Sequence, residues 1–179
     1  MAAPYYERCE HASVWRGSDP GFASSITWHL TEEEQQALLE QVDRTTTVAR
    51  PPRTSGIDPA TTRFRAISQD INHGRGIAIV KGVPIEGLSF AQIECLYETI
   101  GHHFGHAVSQ SVMGDRIGHV TDISGKDANQ RAYRNSLEIP LHTDRSDIVA
   151  MLSVRTAKEG GLSTYASVGA VHNLLLETN

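Results

Sequence analysis

Three strong helix-start signals crowd into the first hundred residues, and they constrain the architecture more than any other feature of the chain. Thr31-Glu-Glu-Glu34 and Ser89-Phe-Ala-Gln92 are capping boxes. In each, the hydroxyl and the longer side chain three residues on satisfy each other's free backbone N–H groups. Asp58-Pro59 sets a cap and a helix-start proline side by side. These signals predict helices from Thr31 to about Arg44, from Ala60 to Asn72 and from Ser89 to about Ile100. Ala37, Leu38 and Val42 form the buried stripe of the first, and Phe90, Ile93, Leu96, Tyr97 and Ile100 that of the third. Gly74 and Gly76 end the second helix. The stretch Thr45–Gly56, rich in Thr, Pro and Arg, reads as a surface connection.

The remaining pattern is of strand type. Gly76-Ile-Ala-Ile-Val-Lys81 reads as a buried strand and Gly82-Val-Pro-Ile85 as the turn out of it. Arg116–Thr121, Ile148–Val154 and Ser163–Ala166 read as further strands, with Gly160-Gly161 as a turn between the last two. Val168–Glu177 is a closing helix. Residues 1–30 lack periodicity and read as an irregular N-terminal arm, while Asp122–Asn135 is a polar connector long enough to serve as a functional loop. The expectation is one α+β domain over residues 1–179, helical first and β-rich later.

Composition narrows the function. With 16 Lys+Arg against 21 Asp+Glu the net charge is −5, and no basic cluster stands out, which argues against a nucleic-acid partner. Cys9 and Cys95 form no CxxC pair, so a zinc ribbon or disulfide scaffold is not expected and a reducing, cytoplasmic setting is. Met1–Arg8 does not read as a secretory leader, and the best apolar run, Ile77–Val80, is far too short for a membrane.

Nine histidines make a metal worth testing. His142-Thr-Asp144 sets a neutral imidazole and a carboxylate two residues apart, two of the three ligands of a 2-His-1-carboxylate iron site. The bare pattern arises by chance and is weak alone; Pro140 just before it favours an extended approach. His102 and His106 share helical spacing, but Gly101 and Gly105 flank them and a helix exit is the plainer reading. His119 reads as a satisfied structural histidine, and Ser124-Gly-Lys126-Asp127 lacks the glycine pattern of a phosphate loop.

Four pieces in order resemble one family: Gly76-Ile-Ala-Ile-Val-Lys-Gly82, Ile100-Gly-His-His-Phe-Gly105, His142-Thr-Asp144 and Gly160-Gly-Leu-Ser163-Thr164. The chain resembles the taurine dioxygenase / chlorophenoxyacetate dioxygenase (TauD/TfdA) family of Fe(II)- and 2-oxoglutarate-dependent oxygenases, well over Gly76–Asn179 and loosely before. The resemblance implies a distorted double-stranded β-helix, or jelly roll, with iron at its mouth. It implies His142 and Asp144 as iron ligands, and Ser163 or Thr164 as the hydroxyl that holds the carboxylate of 2-oxoglutarate. O2 and a small organic molecule would be the other substrates, with succinate and CO2 released. Tyr133, Arg134 and Asn135 precede the motif and are candidates to line the substrate pocket; an ordinary polar loop is the plain alternative.

The family also requires a distal histidine and a following arginine. After Asp144 the only histidine is His172, in the expected last helix, and Arg155 ends the strand just after the motif. Neither fits, so the barrel is expected to be incomplete and the chain an N-terminal portion. An exposed half-barrel face would favour association, including a homo-oligomer. Two other readings remain open at this point. One is a non-catalytic jelly-roll remnant or binding protein; the other is a cupin-like metal hydrolase or isomerase that adds a histidine of the His102–His106 cluster to His142 and Asp144.

Overall fold

The computed structural model describes residues 6–43, 58–110, 114–121 and 139–178. Its elements run α1 (Phe22–Ser25), β1 (Thr27–His29), α2 (Glu32–Asp43), α3 (Pro59–His73), β2 (Ile79–Lys81), α4 (Phe90–Gly101) and α5 (Val168–Thr178). The class is α+β, and the sheet among the described residues is a parallel pair that does not close.

The helices begin where their caps direct. Thr31 Oγ1 accepts from the Glu34 N–H at 3.3 Å, and Glu34 Oε2 accepts from the Thr31 N–H at 2.9 Å. Asp58 accepts from the Ala60 N–H at 3.0 Å, and Ser89 and Gln92 complete the capping box of α4. At the far end of α3, a Cβ on Gly74 would lie 2.3 Å from an Asp70 carboxylate oxygen, so only glycine fits beside the Asp70–Arg75 ion pair.

α2 packs on α3 and α4. Leu30, Leu38, Val42, Ala60, Phe64, Ile67 and Leu96 make the core, flanked by partly buried Trp28, Ala78, Val80, Ile100 and Phe104. Burying Phe64 completely stabilises this layer by roughly 1.5–3 kcal/mol. Glu34 is buried and serves twice: one oxygen caps α2, and the other pairs with Arg63 Nε of α3 at 2.7 Å. That pair fixes α3 against α2, with the Arg63 guanidinium over the Trp28 ring at 5.8 Å.

β1 and β2 pair in parallel with Trp28 opposite Val80, and α2 and α3 form the crossover. The pairing extends through Ile79 N–H to the Ile26 carbonyl and Leu30 N–H to the Lys81 carbonyl. Gly82, at φ 84°, then turns the chain away against Leu30 and Gln35.

Several expectations need correction. The strand expected over Gly76–Lys81 spans only Ile79–Lys81 and is not buried; Ile79 is exposed, because β1 is its one neighbour here. Residues 116–121, 148–154 and 163–166 carry no strand. Strand-type residues form strands only against a pairing neighbour, and none lies beside them among the described residues. Val149 and Met151 are exposed instead of buried. Phe90 projects from α4 at 56% exposure, since it is the first residue of the helix and rotates off the core stripe.

The N-terminal arm is also more ordered than its sequence indicates. It contains α1 and β1, stacks Trp15 on Phe22 with centroids 4.5 Å apart, and docks on α5. The buried Asn173 carboxamide accepts from the Cys9 N–H at 2.8 Å and donates to the Cys9 carbonyl at 2.9 Å. Ser167 Oγ donates to the Ser13 carbonyl at 2.6 Å, and Arg8 pairs with Glu177 at 2.7 Å. Among the described residues Cys9 and Cys95 form no disulfide, and no helix is long and apolar enough to cross a membrane. Thr45–Gly56 and Asp122–Asn135 lie outside the described residues.

Candidate metal centre

His142 and Asp144 lie in an irregular stretch that follows Pro140, between bends at Leu141 and Arg145. His142 Nδ1 is 2.8 Å from the Pro140 carbonyl oxygen, which can only accept, so Nδ1 carries the proton. In the neutral ring this leaves the Nε2 lone pair available to a ligand, as where a backbone carbonyl orients a ligating histidine. Nε2 lies 3.9 Å from Asp144 Oδ1. Both side chains are more than half exposed.

An imidazole nitrogen and a carboxylate are donor types that suit a divalent transition metal. They supply two donors. No group of three His, Cys, Asp or Glu side chains converges among the described residues. The triad that would draw on the His102–His106 cluster is accordingly not assembled among them. His102 Nδ1 bonds the Glu98 carbonyl at 2.7 Å as a helix-end group, and His106 is exposed. His119 Nε2 meets Glu94 Oε1 at 2.7 Å, and half-buried His172 meets the Glu7 carbonyl at 2.9 Å; both have structural partners.

Gly160 and Gly161 both take left-handed backbone angles, φ 68° and 70°, which only glycine adopts in succession without strain. They bring the chain to Ser163 and Thr164, both exposed. No hydrogen bond among the described residues joins that pair to His142 or Asp144. Tyr133, Arg134 and Asn135 lie outside the described residues.

Two groups emerge that sequence patterning misplaced or passed over. Tyr97, assigned to the core stripe, instead donates its hydroxyl to the Ala150 carbonyl at 2.6 Å, and burial raises its pKa so that it stays a neutral donor. His103 stacks on Phe64 at 5.2 Å with Nε2 buried and unpartnered among the described residues. Burial lowers its pKa, with His102 and Arg65 adding to the fall and Asp58 opposing it. A 53-residue separation hides the first contact, and an adjacent histidine pair at a helix exit gives no sign of which ring turns inward.

Residues 50–179 match the Taurine catabolism dioxygenase TauD, TfdA family, a span that takes in β2, α4, the His142-x-Asp144 stretch and the Gly-Gly turn. The chain belongs to the TauD/TfdA family. The FR-33289 synthase of Streptomyces rubellomurinus (strain ATCC 31215) is 31% identical to it over 173 residues, covering 92% of this chain and 51% of that protein. This TauD/TfdA chain thus spans about half the length of the curated relative it matches.

Proposed function

We propose that this chain carries the first two iron ligands of an Fe(II)- and 2-oxoglutarate-dependent dioxygenase that hydroxylates a small organic substrate. The observation that carries the reading is the Nδ1 hydrogen bond of His142 to Pro140, which presents a neutral Nε2 beside the Asp144 carboxylate. Membership of the TauD/TfdA family supports it. So does a relative named as a synthase, a name that says nothing of this chain's own substrate.

In this reading His142 offers an unprotonated nitrogen without a proton to lose, and Asp144 offsets part of the metal's charge. The Pro140 carbonyl keeps the ring from turning. Ser163 or Thr164 donates a hydroxyl hydrogen bond to a carboxylate of 2-oxoglutarate, and Tyr133, Arg134 and Asn135 face the organic substrate. Bound Fe(II), with 2-oxoglutarate and O2, would supply the oxidation itself and release succinate and CO2. The fold proposed for the whole enzyme is the distorted jelly roll, in which stretches such as 148–154 gain strand neighbours. Cys9 and Cys95, far apart in sequence and without a CxxC pair, favour a reducing, cytoplasmic setting for this single domain.

The test is Fe(II)-dependent succinate release from 2-oxoglutarate by a protein that spans the full length of the relative. The expected result is turnover that His142→Ala and Asp144→Ala each reduce to the metal-free background. Retained turnover in both variants would contradict the iron assignment. A folded protein that neither takes up metal nor releases succinate would support a non-catalytic binding role instead.

A further inference from the structure

Helix α5 is docked by its less apolar side. At 3.6 residues per turn, Gly169, His172 and Asn173 share the side that meets the N-terminal arm, while Val168, Val171, Leu174, Leu175 and Thr178 fill a separate arc of about 120°. The arm side is closely fitted. A Cβ on Gly169 would lie 2.8 Å from Val14 Cγ2. His172 Nε2 meets the Glu7 carbonyl at 2.9 Å, and the buried Asn173 carboxamide makes its two hydrogen bonds to the Cys9 backbone. Ser167 and Glu177 tie the two ends of the helix to Ser13 and Arg8.

These contacts fix the rotation of α5, so its apolar arc cannot turn inward. The four aliphatic side chains of that arc stay 46–73% exposed, and no charged residue interrupts them. Half-solvated aliphatic groups in one stripe forgo the stabilisation that burial would bring, and a contiguous apolar face marks an interaction surface.

Two observations identify the cover. The chain spans 51% of the length of the FR-33289 synthase, so a protein of that length carries about as much polypeptide again. Thr178, the last residue of α5, lies on the exposed arc, so a continuing chain leaves the helix already beside it. An uncharged arc suits an apolar segment of that continuation.

We propose that the exposed arc of α5 is the seat for the polypeptide that follows residue 179 in a protein of the relative's length, packed on it within the same molecule. Helix α5 is then a layer between the N-terminal arm and the second half of the protein. The proposal rests on the length of the relative and the clamped orientation of α5, and is independent of the iron reading.

The test uses a protein that spans the full length of the relative, with p-benzoylphenylalanine in place of Leu174. Illumination followed by peptide mass spectrometry should give a cross-link from α5 to a residue beyond 179, in a species of single-chain mass. A cross-link between two chains would make a second copy the occupant and overturn the proposal. A cross-link only to residues before α5, or none, would overturn it as well. In the same protein, Leu174→Gln preserves helix propensity and should raise the unfolding equilibrium constant about tenfold or more, because its carboxamide is buried against the covering segment. A change of less than about twofold, the size expected at an open surface, would contradict the cover.

Discussion

The α2–α3–α4 layer and the stretch from residue 139 to 167 are built on opposite terms. In the first, Leu38, Phe64, Ile67 and Leu96 are wholly buried, and each helix satisfies its own backbone between caps that neighbouring residues supply. In the second, Leu141, Met151 and Leu162 are 72%, 66% and 95% exposed, and no described residue lies in a strand. A helix closes its hydrogen bonds within a dozen residues; a strand borrows them from a partner elsewhere in the chain. The helical layer therefore closes on itself, whereas the stretch with His142 and Asp144 meets α4 through the Tyr97 hydrogen bond to the Ala150 carbonyl.

Substitutions can break or sharpen that contrast. The largest effect is expected in the closed layer: Phe64→Ala should cost about 3–5 kcal/mol in a denaturant titration, through the cavity left among Leu38, Ile67 and Leu96. Loss below about 1 kcal/mol would mean that the layer is not tightly packed.

A smaller effect is expected where the arm meets α5. Asn173→Ala strips both backbone partners from Cys9 and should cost about 1–3 kcal/mol. Alkylation of Cys9 should become faster, while that of Cys95 on α4 stays as it was.

The layer also carries a pH dependence through His103. Burial holds the His103 pKa below its ordinary 6.5, so the unfolded chain binds this proton more readily than the folded one. Stability is thus full above about pH 6.5 and falls as pH drops toward the lowered value. His103→Phe, which keeps the stack on Phe64, should flatten that part of the pH–stability curve. An unchanged slope would show that another group carries it.

The smallest effects belong to the open stretch, where Leu162→Ser and Met151→Thr should change stability by no more than about 0.5 kcal/mol. Losses of about 2 kcal/mol would reveal packing that their exposure does not show.

The same contrast explains what was legible in the sequence. Thr31-x-x-Glu34, Asp58-Pro59 and Ser89-x-x-Gln92 placed three helices to within a residue or two, because a cap and its first turn are local chemistry. Ile148–Val154 reads as a buried strand, yet burial and pairing both depend on distant residues, and here the stretch is exposed coil. At the candidate site, His142-x-Asp144 was visible as a spacing. The Pro140 bond that selects the tautomer and the Tyr97 tie from a helix 53 residues earlier were not, since neither leaves a pattern. The Asn173 clamp on Cys9 was hidden likewise by a separation of 164 residues.

The most direct measurement is an anaerobic calorimetric titration with Fe(II) of a protein that spans the full length of the relative, alongside its His142→Ala and Asp144→Ala variants. Uptake of one ion per chain, lost in each variant while helical circular dichroism stays unchanged, is the predicted result. No uptake by the parent chain, or equal uptake by both variants, would contradict the assignment of His142 and Asp144 as the metal's ligands.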